Sequence, residues 1–213
     1  MLALLGLQAC SAGPRFQPPP VVVHGGDRDE WQQPDRVVAA LAIRPGATIA
    51  DIGSGAGYFT LRLAQATGPS GRVYAIDLDR SDLQLLVDEA ARRGLSNVSG
   101  IVGTTGEPRL KPSSIDLVFT ANTYHHIDGT VAYFRSLRRA LKPGGKLVII
   151  DLDRRSFGRK NTPHAIARDR ILGEMNTAGY RLAAEHRFLE KQSFLVFEST
   201  ETARTRRPRR VSR

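Results

Sequence analysis

Cysteine is almost absent from this chain. Cys10 is the only one among 213 residues, which excludes an intrachain disulfide framework, a cysteine-rich zinc site and chemistry that needs paired thiols. No run of about 18 or more apolar residues occurs, so no segment reads as a bilayer-spanning helix. The glycine-rich stretch near residue 53 is not followed by Gly-Lys-Ser/Thr, which excludes a Walker A phosphate site.

What is present has an ordinary globular balance, with 41% hydrophobic and 24% charged residues. The length fits one compact domain, or one domain with short tails. The net charge of +10 is unevenly placed, because residues 201–213 hold six arginines against one glutamate. Half of the excess therefore sits in a terminal tail. Such a tail can hold nucleic acid or an anionic membrane surface, or can be a solvated end.

At the other end, Leu7-Gln8-Ala9-Cys10 follows a short apolar run and resembles a bacterial lipobox, with Gly13 to Pro20 as a Pro-rich tether. No Lys or Arg precedes the run, so an ordinary frayed end is the competing reading. The expected division is a signal-like segment and tether over 1–23, a folded domain over 24–200 and a basic tail over 201–213. Localisation stays open between the cytoplasm and a lipid anchor at Cys10.

From about Trp31 strand and helix signals alternate. Helices are expected over 34–43, 58–67, 81–93 and 130–141, and strands over 47–52, 72–76, 98–102, 115–120 and 146–151. Thr162-Pro163 reads as a capped helix start, with the helix running to Ala178 and stopping at Gly179. Two closing strands, 180–189 and 193–198, have no helix between them. This order predicts an α/β fold, a doubly wound and mostly parallel sheet ending in an antiparallel hairpin.

Asp51-Ile52-Gly53-Ser54-Gly55-Ala56-Gly57-Tyr58 stands where a buried strand gives way to a helix. Glycines there let the backbone turn sharply and approach a ligand, and the next helix offers unpaired N–H groups. The third glycine falls one residue too early for a dinucleotide fingerprint. Asp51 would repel a pyrophosphate but suits a cationic ligand. Asp77 lies 20 residues after Gly57 at the end of the second strand, where a carboxylate can accept both hydroxyls of a ribose.

These pieces resemble class I S-adenosylmethionine-dependent methyltransferases over about residues 31–198. Asp51 to Gly57 is similar to their motif I, Ala75-Ile76-Asp77-Leu78-Asp79 to the acidic loop after the second strand, Ile115 to Phe119 to the fourth strand, and Leu141 to Leu147 to the approach to the fifth. The resemblance implies a Rossmann-like, seven-stranded sheet with the last strand inserted antiparallel. It also implies S-adenosyl-L-methionine as cofactor, held by Asp51, Gly53, Ser54, Gly55, Gly57, Tyr58, Asp77, Leu78 and Asn122. Many relatives carry an acid after the third strand for the adenine amino group. Here the stretch is Val102-Gly103-Thr104-Thr105-Gly106-Glu107, so adenine would rely on backbone groups or a threonine hydroxyl.

Acceptor-side groups are expected in the loop after the fourth strand, Ala121-Asn122-Thr123-Tyr124-His125-His126-Ile127-Asp128. It lacks the Asn/Asp-Pro-Pro-Tyr/Phe sequence of amino-methylating DNA and protein enzymes, which argues against amide or exocyclic amine substrates, and a small-molecule acceptor is expected. Its Tyr-His-His resembles a bacterial methyltransferase subgroup. His125 or His126 can serve as a general base, or one can pack and the other be exposed. Tyr124 is a candidate lid or a core residue. Two adjacent histidines on a loop do not easily face one ion, and Asp128, Asp151 and Asp153 would have to complete a shell, so no metal site is expected. The alternatives are a nucleic-acid methyltransferase that uses the basic tail, and a cofactor-binding module without turnover.

Overall fold

The structure, a computed structural model, describes residues 27–157 and 162–200. The lipobox-like segment with Cys10, the Pro-rich tether and the arginine tail lie outside the described residues. Among the described residues no helix is long and apolar enough to cross a membrane.

Seven strands form one sheet in the order β3-β2-β1-β4-β5-β7-β6. They are β1 (Thr48–Ile52), β2 (Arg72–Asp77), β3 (Val98–Val102), β4 (Ile115–Ala121), β5 (Leu141–Leu152), β6 (Tyr180–His186) and β7 (Gln192–Ser199). The first five run parallel, while β7 pairs antiparallel with both β5 and β6. The doubly wound sheet with a closing antiparallel hairpin is therefore as expected.

Period-two alternation explains why this sheet is covered on both faces. On β5, Leu147 and Ile149 join one apolar cluster, with Phe134, Met175 and Tyr180. Val148 and Ile150 point the other way, into a second cluster with Val37, Phe59 and Leu63. On β7, Leu195 and Phe197 belong to the first cluster, and Phe194 and Val196 to the second. Each strand contributes side chains to both layers, so neither tolerates a polar replacement without burying an unpaired group.

The helices are α1 (Asp27–Gln32), α2 (Pro34–Ala40), α3 (Thr60–Thr67), α4 (Arg80–Arg92), α5 (Thr130–Arg138) and α6 (Arg168–Ala178). Asp79 caps α4, its carboxylate accepting from the Ser81 and Asp82 backbone N–H groups. Gly179 ends α6 in the left-handed region.

Two expectations need correction. The helix expected from Thr162-Pro163 begins only at Arg168. Ile166 instead pairs with Asp153, donating to the Leu152 carbonyl at 2.8 Å. Burying Ala165 and Ile166 beside β5 outweighs the local capping signal. The fifth strand also begins earlier than Lys146, because Leu141 already pairs with Ile115. Lys142 to Gly145 bulge out between the paired residues. A β-carbon on Gly145 would lie 2.9 Å from the Lys142 carbonyl oxygen and 3.0 Å from that of Ile115, so this bulge requires glycine.

Candidate active site

The strand order reverses between β1 and β4, and the crevice beyond their carboxyl ends is where open α/β sheets bind ligands. The glycine loop leaves β1 at this point. Gly53 and Ser54 donate to the Ile76 carbonyl at 2.7 and 3.2 Å, which ties the loop to the end of β2. Asp77 completes the tie. One of its oxygens accepts the Gly55 N–H at 2.8 Å and the other accepts the Asp79 N–H at 3.1 Å. Each carboxylate oxygen keeps acceptor capacity beyond that single bond.

The loop divides a cavity into two halves. One half is lined by Asp77, Leu78, Gly103, Thr104, Thr105 and His126, among others. Leu78 is 61% exposed there, a large apolar side chain left in solvent. The other half is lined by Arg28, Asp51, Ser54, Tyr58, Phe59 and Asn122. Gly53, Gly55 and Thr123 border both halves. The threonines after β3 stand where the sequence left adenine without an acid.

Gly57 does not line the cavity. A β-carbon there would lie 2.1 Å from the Leu86 side chain, so this glycine seats the glycine loop against α4. Its expected ligand role becomes a packing role.

The second half carries one acid and one base. Asp51 is buried and accepts a hydrogen bond from the Thr60 hydroxyl at 2.6 Å. Burial pushes its carboxyl up to about 7, with the nearby Asp77 charge adding to the rise and the Thr60 bond opposing it. Arg28, from α1, stacks 3.7 Å from the centre of the Tyr58 ring. The Tyr58 hydroxyl donates to Asp29 of the same helix, and burial together with that bond raises the phenol pKa. Behind the cavity, Gln32 donates to Gln192 at 3.1 Å, and Gln192 donates to the Asn122 side chain at 2.7 Å. Asn122 itself sits at φ 56, a conformation asparagine tolerates better than most residues. This chain of amides fixes α1 over the site.

The Ser54 hydroxyl is buried and has no hydrogen-bond partner among the described residues. Such a group is costly unless a bound molecule satisfies it. It lies in the half that holds Asp51 and Arg28.

The loop after β4 contains a short 3-10 turn, Tyr124–His126. Tyr124 is not at the cavity. It is buried in the first apolar cluster, stacked on Phe134 and bonded through its hydroxyl to Glu174. Burial first, and the Glu174 bond second, raise its pKa, so it is a core residue rather than a lid or catalytic group. The His125 side chain is 7% exposed, and its Nδ1 lies 2.8 Å from an Asp151 oxygen. The other Asp151 oxygen accepts the His125 backbone N–H at 3.2 Å. His126 is exposed and lines the cavity. Burial, followed by His125 and His164, lowers its pKa.

His164 comes from the segment before α6, and its ring centre lies 5.0 Å from that of His125 and 5.5 Å from that of His126. Arg28, Thr123 and His164 were not foreseen from sequence. Arg28 precedes the first patterned helix, Thr123 stood in the acceptor-side loop without a role of its own, and only the tertiary fold brings His164 here.

Residues 43–192 match the methyltransferase-domain family. A demethylmenaquinone methyltransferase from a Geobacillus species is 28% identical over 52% of this chain and 47% of its own length. An arsenite methyltransferase from Halobacterium salinarum is 29% identical over 54% of this chain and 29% of its own length. The chain thus spans about half or less of these curated relatives. A solved S-adenosylmethionine-dependent methyltransferase from Aquifex aeolicus shares the fold. It has a TM-score of 0.74 and 24% identity, over 80% of this chain and 92% of that one. With a switch-point cavity formed by the glycine loop and Asp77, and a family match over most of its length, the chain belongs to the class I S-adenosylmethionine-dependent methyltransferases.

Proposed function

We propose that this chain transfers a methyl group from S-adenosyl-L-methionine to a small-molecule acceptor. The observation that carries the reading is the two-part cavity, whose halves differ in chemistry and meet at Gly53 and Thr123. The half with Asp51 and Arg28 offers a carboxyl group and a cation, which suits the ammonium and carboxylate of an amino acid, since an ammonium beside Asp51 favours the ionised form that burial alone disfavours. The unpartnered Ser54 hydroxyl supplies a further polar group there. The other half offers Asp77 for ribose hydroxyls, and Leu78 with Thr104 and Thr105 for an adenine ring.

When bound, the cofactor supplies an electrophilic methyl group on a sulfonium. The protein's own residues hold and orient it. Asp77 is pinned by two backbone N–H groups, so it meets a ribose with little side-chain ordering cost. Gly53, Gly55 and Thr123 border both halves. Arg28 is held by the Tyr58 face and lines the second half from α1. His126, Ile127 and Asp128 line the half that also holds Asp77 and Leu78, and the proposed acceptor stands at their edge of it. Holding both reactants in line there is the main contribution this architecture can make, worth up to roughly 7–11 kcal/mol in well-oriented models.

The relatives' names specify a demethylated menaquinone and arsenite, both small acceptors, and the loop after β4 lacks the amine-methylating motif. Calorimetric titration with S-adenosylmethionine and S-adenosylhomocysteine, followed by transfer of labelled methyl to quinol, arsenite, catechol and thiol acceptors, tests the proposal. Micromolar binding of both ligands and label on one acceptor class are expected. A folded chain that binds neither ligand would refute it.

A further inference from the structure

We propose that His125, His126 and His164 form a binding site for a divalent transition-metal ion, of the class that zinc represents, at the acceptor edge of the cavity. One ring nitrogen from each histidine lies within 4.8 Å of the other two. Zinc–imidazole bonds of about 2.0–2.1 Å in a tetrahedron would place the nitrogens roughly 3.3 Å apart. The needed approach is within the reach of two exposed side chains, since His126 and His164 are both at the surface.

Adjacent residues on an extended loop point apart, which is why the sequence argued against an ion here. The 3-10 turn at Tyr124–His126 changes that geometry. Its tight winding turns the two rings together, with centres 4.0 Å apart. His164 then supplies a third imidazole from the segment between β5 and α6. None of the three aspartates that the sequence offered belongs to the cluster.

Asp151 supports the arrangement from behind. It is fully buried and takes the Nδ1 side of His125 at 2.8 Å. Metal-bound histidines almost always give their second nitrogen to a carboxylate or carbonyl, which fixes tautomer and orientation. Asp151 also accepts the backbone N–H groups of His125 and Leu152, so the carboxylate cannot swing away.

The donor set selects the ion. Three imidazoles without a carboxylate or thiolate suit zinc, cobalt, nickel or copper, and do not suit calcium or magnesium. Three protein ligands leave a position open, the pattern of sites that bind a further molecule rather than only brace a fold. His126 lines the cavity, so an ion held by it stands where an acceptor arrives. An acceptor hydroxyl or thiol in the open position would be held as its anion, its proton passing to solvent water. That last role rests on the methyltransferase reading, whereas the ion site itself does not.

The test uses the full chain, dialysed against chelator and titrated with Co2+ and Zn2+ without cofactor. Visible absorption follows Co2+ and calorimetry follows Zn2+. One ion per chain is expected, with His126→Ala and His164→Ala each weakening it at least tenfold and Asp151→Asn about 10- to 100-fold. Both histidines are exposed, and circular dichroism verifies that their variants stay folded. Absence of saturable binding, or unchanged affinity in the His126→Ala/His164→Ala double variant, would overturn the site. A parallel S-adenosylmethionine titration in chelator separates the two ideas. Asp77→Ala should lose the cofactor yet keep the Co2+ spectrum. A wild type that binds the ion but not the cofactor would sink the methyl-transfer reading alone.

Discussion

The Thr123 hydroxyl stands 3.4 Å from the Gly53 carbonyl oxygen, and a β-carbon on Gly53 would fall 2.1 Å from that same hydroxyl. Gly53 also holds φ +71, in the left-handed region that costs a side chain about 1 kcal/mol or more. Gly53→Ala should therefore destabilise the fold by about 1–3 kcal/mol and weaken cofactor binding more than tenfold. Thermal unfolding and calorimetry read the two effects separately. Adding Thr123→Ala removes the hydroxyl but leaves Thr123's own β-carbon, which lies 2.6 Å from the new atom, so rescue should be partial.

Asp77→Ala removes the acceptor that joins the glycine loop to the loop after β2. Hydrogen bonds to charged groups contribute about 1.5–3 kcal/mol each. Loss of even one bond to ribose corresponds to about one to two orders of magnitude in affinity. S-adenosylhomocysteine titration should show this for Asp77→Ala, while Asp79→Ala, which disturbs only the α4 cap, should leave affinity within a few-fold of wild type.

Asp51 gives a pH signature. Its carboxyl rises from 3.8 to about 7 in the folded protein, so the folded state holds a proton that the unfolded chain has released. Stability from this group is fully present below about pH 4 and is lost as pH rises through about 7. The difference is at most about 4 kcal/mol. Asp51→Asn should flatten the unfolding midpoint against pH between about 5 and 7.5. An equal slope in both proteins would show that another group is responsible. Paired carboxylates such as Asp116 and Glu174 are held low and act in the opposite sense at more acidic pH.

Arg28→Ala should weaken S-adenosylmethionine by about 1.5–3 kcal/mol if the guanidinium meets a carboxylate. It should affect 5′-methylthioadenosine, which lacks that carboxylate, much less. Equal losses for both ligands would instead point to a collapse of α1 over the site. Arg28→Lys should rescue only in part, because an ammonium does not reproduce the planar stack on Tyr58.

Most of the sheet was legible because its strands are short apolar runs punctuated by Gly and Pro. Val73 to Ile76 and Ile115 to Thr120 admit little else. Thr162-Pro163 misled because a good local cap was overruled by the pairing of Ile166 with Asp153. Within the site, the placing of Gly53, Gly55 and Asp77 at one crevice was readable, since a backbone turn and a carboxylate at a strand end follow from position along the chain. Gly57 was misread because contact with Leu86 leaves no local trace. Tyr124 could not be placed, because whether a loop aromatic faces in or out depends on partners as distant as Glu174. The three-histidine cluster has one member 38 residues from its nearest mate, a meeting that no periodicity encodes.

The insertion of β7 between β5 and β6 has a consequence for how the molecule is made. A ribosome delivers the outer strand before the inner one that attaches it. Until residue 199 is released, β6 has no neighbour on the growing sheet, and the β5 edge from Lys146 to Leu152 stays open. A nascent chain of this protein must therefore carry an unpaired, largely apolar edge from the completion of β5 at Leu152 until β7 has been made. Exposed edges of that kind recruit other strands. Chaperone dependence should thus concentrate in the interval before the last strand emerges, and translation stalled in β7 should aggregate more readily than translation stalled after it.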